Sequence, residues 1–158
     1  MNMILSLTAI GVLWCTTPAT TQVTHNEAEK SEITRIIQSF YESFEQEDME
    51  LMSAVMAHDA DMVSFGTGLT EHHVGWDAWK QAHLGQFEAF AGIQFVSKGL
   101  NVFLSECGTV AWFADVFDLS LVVENEQIDM SDLRITGVLE KRADQWKIVQ
   151  IHASVPQE

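Results

Sequence analysis

The chain has 158 residues, the size of one domain. Apolar residues make up 47% and charged residues 20%, which excludes a disordered or collagen-like chain. With 8 basic and 23 acidic residues the net charge is −15, so nucleic acids and anionic membrane surfaces are poor partners. The two cysteines, Cys15 and Cys107, are too few to form a disulfide framework or a zinc site alone.

An apolar run of residues 4–14 lies near the start of the chain, too short for a bilayer span of about 20 residues. Thr17 and Ala19 follow as the small residues that signal peptidase requires. We therefore expect a signal peptide at 1–19, a single domain at 20–158 and a secreted or periplasmic protein. The start lacks the usual Lys or Arg, and a retained, buried segment is the alternative. A lipoprotein acylated at Cys15 is less favoured, because Trp14 stands where a small residue is expected. After cleavage Cys107 would have no partner cysteine.

The first half of the remaining chain has helical spacing. Asn26 and Glu29 fit a capping box before apolar residues at three- and four-residue steps through Phe44. Asp48 is the predicted N-cap of a second, short helix through Met56. A third helix is predicted over 76–90, after a strand over 61–65 that the glycines of 66–68 close.

From residue 92 the period changes to two, which predicts strands at 95–104, 109–123, 127–142 and 145–155. Long strands joined by short turns indicate a curved antiparallel meander. Helices first and strands afterwards predict an α+β fold in which the helices pack over the concave face of the sheet. The space between the two layers is either packed solid or left as an apolar pocket with a few polar groups.

Polar residues within the strands are the candidates for such a pocket. Arg134 and Thr136 share a face, and Gln150 and His152 share a face in the last strand. Asp115 aligns with two phenylalanines, Phe113 and Phe117, on the face opposite Trp112. A metal site at Glu71-His72-His73, with His58, Asp59 and Asp61 nearby in sequence, is less favoured than a solvated loop. Adjacent histidines on a loop diverge, and no third ligand beside them has a characteristic spacing.

The C-terminal stretch, with Arg134-Ile135-Thr136-Gly137 followed by Trp146 and Gln150-Ile151-His152-Ala153-Ser154, resembles the closing hairpin of SnoaL-like proteins. Ala111-Trp112-Phe113 and the glycines of 66–68 are also similar. These proteins belong to the nuclear-transport-factor-2-like superfamily, together with ketosteroid isomerase, scytalone dehydratase and the association domain of calcium/calmodulin-dependent kinase II. The resemblance covers about residues 28–156 and implies a cone-shaped, cystatin-like α+β fold.

The resemblance also implies roles for individual residues. It implies that Arg134 points into the cone, where the association-domain relatives use the matching arginine to line an anion-accepting pocket. It also places His152 near the closed end of the cone. It places Tyr41 of the first helix in the cone as well, and Trp112 in part of the cone's wall. Gln150 stands where relatives often have the first histidine of a His-x-His motif. Since Tyr41 is the only tyrosine, the oxyanion pair of ketosteroid isomerase has no match here.

Two functions are consistent with these residues. In the first, the domain binds a small organic molecule such as a carboxylate through Arg134, with Tyr41, Trp112, Gln150 and Thr136 around it. His152 and Asp115 would then transfer protons in isomerase, dehydratase or hydrolase chemistry that needs no metal or cofactor. In the second, the domain is a non-catalytic assembly or accessory module with a filled pocket and Arg134 paired to Asp115 or Asp118. The resemblance implies a homodimer formed through the convex face.

Overall fold

A computed structural model describes residues 19–157, with side chains described from residue 26. The predicted signal peptide, apart from its last residue, and Cys15 lie outside the described residues. No helix within 19–157 has the length and apolar character needed to cross a membrane.

Three helices precede or interrupt the strands: α1 (Ala19–Glu45), α2 (Met49–Val55) and α3 (Trp76–Ala89). The prediction of Asp48 as an N-cap is confirmed, since its carboxylate accepts hydrogen bonds from the backbone N–H groups of Glu50 and Leu51 at 2.8 and 3.0 Å. The prediction of Asn26 as an N-cap is wrong, because α1 begins seven residues earlier and Asn26 lies within it.

Within residues 19–157, seven strands form one sheet: β1 (Val63–Phe65), β2 (His72–Val74), β3 (Phe90–Ser97), β4 (Asn101–Leu104), β5 (Val110–Val123), β6 (Glu126–Arg142) and β7 (Gln145–Ser154). The order is β2-β1-β7-β6-β5-β3, and β4 also pairs with β5. The predicted α+β class is confirmed. The predicted strand over 95–104 is divided into β3 and β4, and the meander is incomplete because β1 runs parallel to β7.

One face of the sheet packs against the helices, and we call it the inner face. On β5 it carries Ala111, Phe113, Asp115 and Phe117, all buried, and on β6 it carries Leu133, Ile135 and Leu139. These side chains form one apolar core with α1, α2 and α3, whose largest contributions include Phe40, Met52 and Trp79. The opposite, outer face carries Trp112 and Val116, both exposed.

Irregularities in pairing change which residues face inward. The β6–β7 register shifts so that Val138 pairs with Gln150 while Leu139 pairs with Ile148, leaving Val149 as a bulge. Trp146 and Ile148 before the bulge and Ile151 after it are therefore all buried. Strict alternation along β7 would put Gln150 and His152 on the same face as the buried Trp146, but the one extra residue inverts the faces.

Candidate functional site

A cavity of about 320 Å³ lies between the helices and the inner face of the sheet. Aromatic and aliphatic side chains form most of its wall: Phe40, Phe44, Trp79, Phe90, Ile93, Phe95, Phe117, Leu119, Leu121, Val123, Ile128, Met130, Ile135, Ile151 and Ala153. Helices α1 and α3 contribute to one side, and strands β3, β5, β6 and β7 contribute to the other. This space is left because the inner face is curved and the helices cross it without filling it.

Two polar side chains on the hairpin β1–β2 line the same cavity. Ser64 on β1 is only 3% exposed, and its antiparallel partner in the pairing register is His73 on β2. Ser64 Oγ and His73 Nε2 are both buried, and neither atom has a hydrogen-bond partner within the described part of the chain. Such atoms are rare in folded proteins because water or a partner normally satisfies them.

A second histidine enters the cavity wall from α3. His83 stacks on Trp79 with ring centroids 3.7 Å apart, and its Nδ1–H donates to the Trp79 carbonyl at 2.8 Å. Burial lowers the pKa of His83 to about 4, so its ring is neutral at neutral pH. The His73 and His83 rings are 6.1 Å apart, and the two imidazoles form a hydrogen-bonding corner in an otherwise apolar cavity.

Glu71 brings a carboxylate to the cavity, and both of its oxygens are already engaged. Oε1 accepts from the Gln86 side chain at 2.9 Å, and Oε2 accepts from the Gly68 N–H at 2.7 Å. The first contact ties the hairpin β1–β2 to α3, and the second fixes the turn between the two strands. Glu71 therefore acts as a brace for the loop over residues 66–71.

Tyr41 and Asp115, two of the predicted site residues, meet inside the protein. The Tyr41 hydroxyl donates to Asp115 Oδ2 at 3.0 Å, and the Gly99 N–H donates to Asp115 Oδ1 at 3.2 Å. Burial, together with the negative charge of Asp115, raises the pKa of Tyr41. Neither side chain is among those that line the cavity. The pair connects α1, β5 and the turn before β4.

Arg134, Thr136 and Trp112 lie on the outer face. Arg134 alternates with the buried Leu133 and Ile135, so its exposed side chain points away from the helices. The expected inward orientation of Arg134 is therefore wrong, because the apolar residues of β6 occupy the inner face. Thr136 is exposed beside it, and Trp112 is 45% exposed and stacks on Phe103 of β4.

The acids suggested as partners for Arg134 are engaged elsewhere. Asp115 bonds to Tyr41, as described, and Asp118 forms an ion pair with Lys98 at 2.6 Å. The Lys98 ammonium, which also contacts Asp132, lowers the pKa of Asp118. The ion pair between Arg134 and an internal carboxylate, which the assembly-module hypothesis predicted, is thus not formed by these side chains.

His152 and Gln150 are also turned away from the cavity by the bulge in β7. His152 is exposed and contacts Phe65 with ring centroids 5.7 Å apart. Gln150 is half-buried on the same outer side. The structure consequently does not bring His152 together with Asp115, which is 4% exposed on the inner side of β5.

The sequence did not identify Ser64, His73 and His83 as cavity residues, although signals for the two histidines were present. His73 follows a glycine-rich turn after β1, which is typical of a hairpin. The expectation of a solvated loop at this segment is wrong, because His73 lies in β2. His83 falls four residues after Trp79 on the apolar face of α3. Within residues 19–157, no group of three or more metal-ligating side chains is positioned to hold an ion.

A curved sheet with helices over its inner face, enclosing a mostly apolar cavity, defines the cystatin-like, nuclear-transport-factor-2-like class of α+β proteins. The chain belongs to the SnoaL-like domain family, whose sequence profile matches residues 33–158. No curated protein matches the chain significantly.

Solved structures of the same class are similar in fold. A candidate dehydratase of the NTF2-like family from Streptomyces avermitilis has a TM-score of 0.75 at 18% identity, over 84% of this chain and 99% of that one. An NTF2-like superfamily protein from Salmonella enterica has a TM-score of 0.76 at 17% identity, over 84% and 94%. The association domain of CaMKII from C. elegans has a TM-score of 0.66 at 19% identity, over 83% and 98%. At these identities the likeness concerns the fold.

Proposed function

We propose that the protein binds a small, uncharged and mostly apolar organic molecule in the cavity between the helices and the inner face. The observation that carries this proposal is the cavity of about 320 Å³ with its aromatic and aliphatic wall. Ligand pockets commonly enclose about 300–1,000 Å³ and combine an apolar wall with a few polar groups. The fold of the SnoaL-like family supports the proposal, because a curved sheet covered by helices provides such a space.

The wall favours an uncharged ligand over the anionic one expected from Arg134. None of the described residues that line the cavity is Lys or Arg, and Arg134 lies on the outer face. The one acid in the wall, Glu71, and the net charge of −15 both disfavour an anion. A carboxylate would also lose its hydration in an apolar space without a cation to replace it.

A thermal-shift comparison of two ligands with the same skeleton tests this proposal. We expect neutral 2-acetylnaphthalene to raise the melting temperature, because a ligand that binds only the folded state stabilises it. The carboxylate 2-naphthoate should have no effect at the same concentration. Ala153→Leu places a larger side chain in the cavity wall and should abolish the shift, whereas Ala114→Leu on the outer face should retain it. A larger shift with 2-naphthoate, or none with either compound, would contradict the proposal.

Cofactor-free acid–base catalysis is the second candidate, and the pair of histidines on the cavity wall favours it. His73 Nε2 can take a proton from a carbon next to a carbonyl and return it, so no oxidant or metal is needed. The test is incorporation of deuterium from D₂O into 2-tetralone, followed by mass spectrometry. His73→Phe should reduce incorporation to the uncatalysed rate while His152→Phe on the outer face leaves it unchanged. Equal incorporation in both variants would argue against catalysis by His73.

We also propose a homodimer formed through the outer face, as the resemblance implied. Phe103 and Trp112, stacked at 5.7 Å and 44% and 45% exposed, support this assembly together with the exposed Val116. Light scattering after gel filtration should give twice the chain mass, and Trp112→Glu should give the monomer.

Secretion stays a proposal based on the N-terminal sequence, and the mass of the mature protein from cells tests it.

A further inference from the structure

We infer that Ser64 and His73 form a polar subsite in the cavity and bind the hydroxyl or carbonyl oxygen of the ligand. The inference rests on the proposed function, because it assigns the part of the cavity that recognises one group of the same uncharged molecule. The ligand class is therefore an aromatic or alicyclic skeleton bearing a phenolic, alcoholic or ketonic oxygen.

The hairpin β1–β2 brings the two side chains together. Ser64 and His73 are directly opposite each other in the antiparallel register, and both line the cavity. Side chains opposite each other in an antiparallel pair have Cβ atoms about 4.5–5.5 Å apart. One ligand oxygen can therefore lie within hydrogen-bond distance of both Ser64 Oγ and His73 Nε2.

The unsatisfied state of these atoms points to a ligand. Ser64 Oγ and His73 Nε2 are buried without a partner in the described part of the chain, although each loses its contact with bulk water on folding. A buried polar group without a partner raises the free energy of the folded state, and here two such groups lie at adjoining positions on one cavity wall. An incoming hydroxyl or carbonyl oxygen would satisfy both at once, which makes it preferred over a hydrocarbon of the same shape.

His83 restricts the subsite to uncharged oxygen groups. Its Nδ1–H is occupied by the Trp79 carbonyl, and its ring is held 6.1 Å from the ring of His73. Because burial keeps His83 neutral at neutral pH, it adds no positive charge with which a carboxylate could pair. The described lining contains no lysine or arginine, and the hydroxyl and imidazole groups of the subsite match the oxygen of a phenol or a ketone.

Equilibrium dialysis of the full chain against 2-naphthol and naphthalene tests the inference. We expect the unmodified protein to bind 2-naphthol about tenfold more tightly than naphthalene, the ratio that one net hydrogen bond provides. Ser64→Ala and His73→Phe should each reduce this preference to about threefold or less while naphthalene binding is retained. Thr136→Val, on the outer face, is the matched control and should keep the full preference.

The outcomes separate this inference from the proposed function. Equal binding of both compounds to the unmodified protein, blocked by Ala153→Leu, would overturn the subsite and retain the cavity as a binding site. A preference that survives in both Ser64→Ala and His73→Phe would also overturn it. Binding of neither compound would overturn the proposed function and the subsite together. Thermal unfolding of each variant verifies that the fold is intact.

Discussion

The Tyr41 hydroxyl donates a 3.0 Å hydrogen bond to the Asp115 carboxylate across 74 positions of sequence, and this bond joins α1 to the centre of the sheet. Stacking of the Tyr41 ring on Phe95 and Phe117 fixes the direction of the bond. Asp115 also accepts the Gly99 N–H, so its two carboxylate oxygens have partners on α1 and in the turn before β4. The pair thus holds the helical layer against the inner face, next to the cavity rather than within it.

Removing that hydroxyl should destabilise the protein. Tyr41→Phe keeps the ring stacking but leaves one oxygen of a buried carboxylate without its donor, which costs about 1–3 kcal/mol. Urea denaturation measures the difference. The dialysis affinity for 2-naphthol should stay the same, since Tyr41 does not line the cavity. An unchanged free energy of unfolding would mean that the bond contributes nothing to stability.

Tyr41 should also resist ionisation until the protein unfolds. Its pKa is raised by burial and by Asp115, so the folded state keeps the phenol proton at a pH where the unfolded chain loses it. Stability should therefore fall as the pH rises above about 10, the ordinary pKa of tyrosine. Because the chain has a single tyrosine, the tyrosinate absorbance reports this residue alone. Its appearance before the loss of near-ultraviolet circular dichroism would contradict the prediction.

His83 should make stability depend on pH in the acidic range. Its pKa is about 4 in the folded state against 6.5 ordinarily, so the unfolded chain binds the extra proton between these values. Stability from this group is complete above about 6.5 and decreases by about 3 kcal/mol as the pH falls to about 4. His83→Phe should remove this part of the pH dependence in urea denaturation. Leu84→Ala, on the same helix, should lower stability equally at each pH.

The elements of the fold followed from periodicity because each long strand alternates against one buried face. The helix N-cap at Asp48 and the strands β5, β6 and β7 were predictable from a few neighbouring residues each. The faces were not predictable, because the inner side of β6 depends on which residues the helices cover, and that of β7 depends on the bulge at Val149. Arg134 and His152 were therefore assigned to the wrong side.

The cavity itself was predictable only as a possibility of the curved sheet. Its polar corner depends on the pairing of β1 with β2. Each of these strands has three residues, and an alternating pattern of polar and apolar residues cannot be recognised over so short a segment. Asp115 lies between Phe113 and Phe117 on one face of β5, but alternation alone could not decide whether that face points inward or outward. Its partner Tyr41 could not be found from spacing, because the contact joins distant parts of the chain.

Gly137 should tolerate no side chain. A Cβ atom at this position would overlap the Phe113 ring and lie 2.8 Å from the Gln150 carbonyl oxygen of the neighbouring strand. Gly137→Ala should therefore destabilise the protein by at least about 1–3 kcal/mol, the usual cost of overpacking a core. Gly85→Ala is the control, since no atom lies within 4 Å of its added Cβ on α3. It should stabilise the protein by about 0.5–1 kcal/mol, and equal effects at both positions would contradict the steric explanation.

Cys107 should react readily with alkylating reagents at neutral pH. It is exposed in the turn after β4, and hydrogen bonds from Ser105 Oγ and Thr109 Oγ1, at 3.2 and 3.1 Å, lower its pKa to about 7. A substantial thiolate fraction is then present at neutral pH, and the thiolate is the nucleophile. Peptide mapping after limited iodoacetamide treatment should show alkylation at Cys107. Thr109→Val removes one hydrogen bond to the sulfur and should raise the pH midpoint of alkylation, whereas Thr136→Val should leave it in place. An identical midpoint in both variants would show that Thr109 does not stabilise the thiolate.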